Sequence, residues 1–99
     1  MAVCFILDFP GVTQAQYDAV LQELGLDRLK GPTADGGISH VGGPGDGGWK
    51  IVDIWESEAA MQAFVEQRLG PALAKVGVDQ PNVTAFPVYG YFTGPGKVS

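Results

Sequence analysis

The single histidine of this chain, His40, and the acid Asp53 stand on either side of a glycine-rich stretch, GGPGDGG, with Asp46-Gly47 at its centre. Asp-Gly between two strand-like runs is a strong hairpin signal. With two central residues in the turn, Gly45 faces Gly48, and the numbers of paired residues keep one sum along the ladder. His40 then lies directly opposite Asp53, and Ile38 opposite Trp55. A four-residue loop over 45–48 preserves this pairing, whereas a three-residue loop breaks it. Opposed residues share a face, with Cβ atoms about 4.5–5.5 Å apart. A carboxylate there orients the imidazole, and the pair can act as general base or acid on a phenolic or enolisable substrate. The same pair also fits a purely structural role, or a histidine at a solvent-facing strand edge.

The aromatic residues are the second group with chemical potential. Tyr17, Trp49, Trp55, Phe64, Phe86, Tyr89 and Tyr91 include candidates for the walls of a pocket that takes a flat ligand, with Tyr17, Trp55, Phe64 and Tyr89 the candidate binding residues. Core and dimer packing is the competing reading, since aromatics at strand and helix periodicity usually pack. The stretch GGISHVGGPGDGG is not a phosphate loop: it lacks a Gly-Lys-Ser/Thr ending and joins two strands rather than a strand and a helix. One histidine and one cysteine, with scattered carboxylates, give no metal-ligand pattern, and no cofactor is expected. Cys4 sits in an apolar run where an inert packing role is the default.

These residues need a scaffold, and the hydropathy pattern supplies one. Ala2–Phe9 (AVCFILDF) is a short apolar run stopped by Pro10-Gly11, as for a central strand buried on both faces. Thr13 and Gln16 form a capping box. Tyr17, Val20, Leu21 and Leu24 make one helical stripe, and Gly25 closes it. Leu26–Pro32 reads as a loop. Gly36–Gly43 and Trp49–Glu56 form the hairpin. A second helix starts at Ser57, buries Met61, Phe64, Val65 and Leu69, and is kinked or interrupted at Gly70-Pro71. Ala72–Val76 adds one further turn. The last strand is expected over Val83–Phe92, with Pro87 suited to an edge strand or a bulge. The tail, residues 93–99, is loose.

The order is β, α, β, β, α, β, in one domain spanning residues 1–99 with its ordered part over about 2–92. At 99 residues the chain has a limited core, and oligomerisation is a common way to add buried area. Both parities of the central strands are apolar: Val3, Phe5, Leu7 and Phe9 against Cys4 and Ile6, and Trp49, Ile51 and Trp55 against Val52 and Ile54. Two amphipathic helices cover one face of a four-stranded sheet. The simplest cover for the other is a second copy of the same sheet. The net charge of −5 argues against nucleic acid and anionic lipid as partners. No apolar run approaches a membrane span and Met1–Phe9 lacks the basic start of a signal peptide, so a cytoplasmic protein is expected.

The segment VDIWESEAAMQAFVEQRLGPAL, residues 52–73, runs from a strand ending in Trp-Glu-Ser into a helix with Phe at mid-length and Arg-Leu before a Pro. With the βαββαβ order, it resembles the dimeric α+β barrel superfamily, and within it the antibiotic-biosynthesis-monooxygenase-like group, over about Ala2 to Phe92. The resemblance implies a ferredoxin-like α+β fold with a four-stranded antiparallel sheet that pairs into a dimeric barrel. The superfamily includes cofactor-independent oxygenases, polyketide cyclases, haem-degrading enzymes, isomerases and proteins without known activity. Its haem-degrading members carry their haem-ligating histidine in the second half of the chain, where this sequence has none. The expectation is a metal-independent monooxygenase-like or cyclase-like enzyme for a small, apolar, aromatic substrate, with His40 as base, Asp53 orienting it, and Trp55 and Tyr17 as walls. The alternative is a non-catalytic dimeric small-molecule-binding protein.

Overall fold

The apolar run at the start of the chain becomes strand β1 (Val3–Pro10), and it lies inside the sheet. The computed structural model describes residues 1–31 and 34–98. Helix α1 (Gln14–Leu24) follows, then strands β2 (Gly37–Gly45) and β3 (Gly48–Trp55). Helix α2 (Glu58–Phe64) continues through a π-helical turn, Val65–Leu69, into α3 (Gly70–Val76), and strand β4 (Asn82–Pro87) closes the order. The sheet runs β2-β3-β1-β4, all antiparallel, so β1 and β3 are central and β2 and β4 are edges. This is the ferredoxin-like α+β arrangement with both helical segments on one face.

Local chemistry sets these boundaries. The Thr13 side chain accepts from Gln16 N–H at 3.2 Å while Thr13 N–H donates to Gln16 Oε1 at 3.0 Å, so the capping box forms. Gly25 ends α1 in the left-handed conformation, φ 71°. Ser57 caps α2 by accepting from Ala60 N–H at 3.1 Å. The interruption expected at Gly70-Pro71 takes the form of the π turn, in which Gly70 N–H donates to Val65 O. A proline ring clashes with the carbonyl four residues back in a regular helix, and the widened turn immediately precedes Pro71. The Arg68 guanidinium reaches Leu24 O and ties this turn to the end of α1.

The helices cover the sheet face made by Val3, Phe5, Leu7 and Phe9 of β1 with Trp49, Ile51, Asp53 and Trp55 of β3. Phe5, Leu7, Leu21, Trp55, Met61 and Leu73 anchor the resulting core. Among the described residues, no helix is long and apolar enough to cross a membrane.

The hairpin turn is the two-residue Asp46-Gly47, with Gly45 opposite Gly48 and His40 opposite Asp53. Gly47, the second central residue, takes φ 69°, a left-handed conformation that glycine adopts without strain. The strands are displaced from expectation at their ends: β2 is shifted to 37–45 and β3 to 48–55. The expected pairing of Ile38 with Trp55 does not occur. A bulge between Gly37 and Ser39 sets Gly37 opposite Trp55 and leaves Ile38 as the extra residue.

The last strand is shorter than the expected 83–92. It stops at Pro87, which has no N–H for a ladder, and Val88 N–H to Ala2 O at 2.8 Å is the final link. Tyr89 and Phe92 beyond it are almost fully exposed. Residues 93–98 form no helix or strand. Within the expected loop 26–32, Asp27 Oδ1 accepts from Leu29 N–H at 2.9 Å and Lys30 N–H at 3.2 Å. Pro32 of that loop and Ser99 of the tail lie outside the described residues.

Candidate active site

Asp53 is on the helix-covered side of β3 because its strand parity is that of Trp55 and Ile51. Among the described residues it is the one charged side chain that is buried, with 8% of its surface exposed. A buried carboxylate needs partners, and Asp53 has two. Oδ1 lies 2.6 Å from His40 Nδ1, and Oδ2 accepts from Trp55 Nε1 at 3.3 Å. An ionised carboxylate only accepts, so the hydrogen in the first bond belongs to Nδ1.

His40 Nε2 is engaged as well. It lies 2.6 Å from Tyr17 Oη. The rings of Tyr17 and His40 are parallel within 4°, their centroids 6.0 Å apart. Tyr17 stands in the first turns of α1, and the helix brings it over the β2-β3 hairpin. Room for its hydroxyl comes from Gly42, since a Cβ there would sit 2.6 Å from Tyr17 Oη. The result is a line of side chains from three elements: Tyr17 on α1, His40 on β2, then Asp53 and Trp55 on β3.

Burial pushes the Tyr17 phenol above its ordinary range, and the negative charges of Asp53 and then Asp18 add to this. Tyr17 therefore remains a neutral hydroxyl at physiological pH. Burial, with Asp53 adding, also raises the Cys4 thiol, which keeps it protonated and unreactive.

This line opens on a cavity of about 510 Å³ between the helices and the sheet. Tyr17, His40, Asp53 and Trp55 all line it, and so does Phe64, whose ring is 5.2 Å from Trp55. Tyr89 does not: the strand expected to carry it ends at Pro87, and its side chain is fully exposed. The walls are mainly apolar, from Leu7, Phe9, Leu24, Ile51 and Leu73, with Arg28 and Lys30 among the polar lining.

Trp49 was among the aromatics that sequence gave either to a wall or to the core, and it does both. Its ring lies 5.0 Å from Tyr17, and its buried Nε1–H has no hydrogen-bond partner among the described residues. Among the described residues no group of three or more His, Cys, Asp or Glu side chains is placed to hold a metal ion.

Comparison of the folded chain with solved structures places this architecture. A protein from Chloroflexus aurantiacus J-10-fl, assigned by name only to the antibiotic biosynthesis monooxygenases, matches over 95% of this chain and 100% of its own at 19% identity, with TM-score 0.63. The two chains share the ferredoxin-like α+β fold. SnoaB, a cofactor-independent oxygenase from Streptomyces nogalater, shares it over 96% of this chain and 98% of its own, at 12% identity and TM-score 0.60. A dimeric ferredoxin-like protein of unknown function from Thermobifida fusca shares it over 89% and 92%, at 18% identity and TM-score 0.56. No family model matches the sequence, and none of the curated proteins does. The shared ferredoxin-like fold thus appears here at low sequence identity, and in this chain it holds the Tyr17–His40–Asp53 line.

Sequence counting found His40 and Asp53 together but gave Tyr17 only as a wall. The Tyr17–His40 contact spans 23 residues and depends on how α1 sits on the sheet, for which no local pattern exists. The signal that could have found it is Gly42 on the strand face shared with His40, a gap able to take a phenol.

Proposed function

We propose that the chain is a metal-independent general-base enzyme of monooxygenase-like or cyclase-like type acting on a small apolar, aromatic substrate. The observation that carries this is the His40–Asp53 pair, with a 2.6 Å hydrogen bond, lining an apolar cavity of about 510 Å³. A partly buried imidazole oriented by Asp53 beside a cavity is suited to accepting a proton from bound substrate, and Asp53 stabilises the imidazolium formed. The substrate anion then has two outcomes. With dioxygen as oxidant, a CH2 group becomes C=O and the second oxygen leaves as water. Without it, the anion attacks a carbonyl in the same molecule and closes a ring.

SnoaB, a cofactor-independent oxygenase, shares the fold and so supports the first outcome as a working reaction class. The test is oxygen uptake and product formation with a panel of naphthols and enolisable aryl ketones. His40→Ala is expected to lower turnover about 10²–10⁴-fold. Turnover unchanged by that substitution would remove the general-base assignment.

We infer further that a second copy packs on the sheet face the helices leave open. Val41 is 65% exposed and Phe86 52% exposed on that face. Pairing would bury well over about 1,200 Å². Light scattering coupled to size exclusion is expected to give twice the 10.4 kDa chain mass, and a monomer at micromolar concentration would refute the dimeric barrel.

A further inference from the structure

In a chain of net charge −5, the positions of the few cations are informative. Of the six Lys and Arg residues, three are engaged within the folded chain. Lys50 pairs with Asp8 at 3.6 Å, Lys75 pairs with Glu23 at 3.2 Å, and Arg68 donates to Leu24 O. Lys97 stands in the tail beyond β4. The remaining two, Arg28 and Lys30, form no salt bridge among the described residues, and both line the cavity between the helices and the sheet.

Both side chains are exposed, which puts them at the cavity mouth. The acid beside them, Asp27, is turned into its own loop, where Oδ1 accepts from Leu29 N–H at 2.9 Å and from Lys30 N–H at 3.2 Å. Two cations and one carboxylate leave residues 27–30 with a net charge of +1. Deeper in the lining the fixed charge has the other sign: the Asp53 carboxylate is buried against His40. Apolar walls cover most of the rest. An anionic group on a ligand is therefore attracted at the mouth, and inside it meets a like charge and loses its water.

We propose that the cavity takes an organic monocarboxylate, with its apolar rings between the helices and the sheet and its carboxylate facing Arg28 and Lys30 at the mouth. This rests on the reading of the cavity as a site for a small apolar, aromatic ligand, and it adds the charged group that orients that ligand. One carboxylate balances the net charge of the loop. The planar fork of an arginine matches the two oxygens of a carboxylate, and the lysine adds a second point charge. At the mouth the carboxylate keeps part of its hydration, so little desolvation opposes binding.

The experiment compares 2-naphthoate with 2-naphthamide by calorimetric titration of the full chain at neutral pH. The amide keeps the rings and the shape and loses the charge. Wild type is expected to bind 2-naphthoate about fivefold more tightly than the amide at low ionic strength, and the ratio falls to within about twofold at about 1 M salt. Arg28→Gln combined with Lys30→Gln removes the preference and leaves the amide within about twofold of its wild-type affinity. Both positions are exposed, so the double variant keeps the fold. Lys97→Gln, which removes one positive charge from the tail, keeps the preference.

Equal affinities in wild type, a preference retained in the double variant, or a preference lost equally in Lys97→Gln would overturn the assignment. So would failure of 2-naphthoate to bind. The general-base reading is judged separately by turnover in His40→Ala. Turnover that needs His40, in a wild type that does not distinguish the two probes, overturns the carboxylate contact alone.

Discussion

The two faces of the sheet are made from alternate residues of the same strands, yet they are completed differently. On one face Phe5, Leu7, Trp49 and Trp55 are buried by helices of their own chain. On the other, Ile6, Val52 and Ile54 remain only partly covered and Val41 and Phe86 are exposed. Cys4 is buried on that second face all the same, opposite Ile54 on β3 and Phe86 on β4. The covered face also contains the buried polar line and the cavity, whereas Asp8 and Lys50 of the open face form an exposed ion pair at 3.6 Å. Apolar alternation alone therefore does not mark where a polar cluster is enclosed. The face that can exclude water from a carboxylate and an imidazole is the one that holds them.

The largest effect that sharpens this contrast is on stability. Trp55 is 2% exposed, packs at a tilt against Phe64 and donates to Asp53. Trp55→Ala is expected to cost about 3–5 kcal/mol in denaturant unfolding, since it opens a void and leaves Asp53 Oδ2 without its donor. The molecular mass in solution should not change. A loss below about 1 kcal/mol would show the indole to be a pocket wall without packing on its far side.

The open face should respond in the opposite way. Val52→Glu combined with Ile54→Glu is expected to halve the mass seen by light scattering, while the chain keeps its far-UV spectrum. Two carboxylates at the centre of a sheet–sheet interface would be desolvated without partners. A dimer that survives this change must use some other surface.

A smaller effect concerns alkaline pH. The Tyr17 phenol titrates above its ordinary range because it is buried and faces Asp53. The neutral form is thus favoured by folding. Its contribution is complete below the unfolded value of about 10 and is lost as pH rises through the higher folded value. Tyr17→Phe is expected to flatten the fall of stability above about pH 10 and to remove the latest step in the ultraviolet phenolate titration. An unchanged alkaline profile would show that the buried hydroxyl does not differ from an exposed one.

The smallest effect lies at the cavity mouth. Asp27 is held below the usual carboxylate range, first by the Leu29 N–H, then by Lys30 N–H and the charges of Lys30 and Arg28. Asp27→Ala should loosen that turn, raising amide exchange at Leu29 and Lys30 with little change in global stability. Unchanged exchange at both amides would show that other contacts hold the turn.

How much of this was legible depends on the range of the interaction. The pairing of His40 with Asp53 follows from counting outward from Asp46-Gly47, because ladder register propagates from a turn. The same counting failed two residues further on. Nothing in GGISH distinguishes a regular strand from one with an extra residue, and the bulge absorbed Ile38. Caps at Thr13, Gly25 and Ser57 were readable since they involve neighbours in sequence. The end of β4 was misplaced because VYGYF alternates like a strand, and alternation does not reveal where a partner strand stops. Tyr17 on His40 was out of reach, since helix-to-sheet docking decides it.

The bulge at Ile38 separates two tasks along a single strand. On its hairpin side, register is fixed by the turn, and His40 and Gly42 keep their positions relative to Asp53 and Tyr17. On its other side, Ile38 lies at the cavity lining with Arg28 and Lys30, where the chain enters from the long α1–β2 connection. A residue inserted or lost in that connection can be absorbed at the irregular step without turning His40 to the opposite face. The outline of the cavity can therefore change at this end, during evolution or in the laboratory, while Tyr17, His40 and Asp53 stay in place.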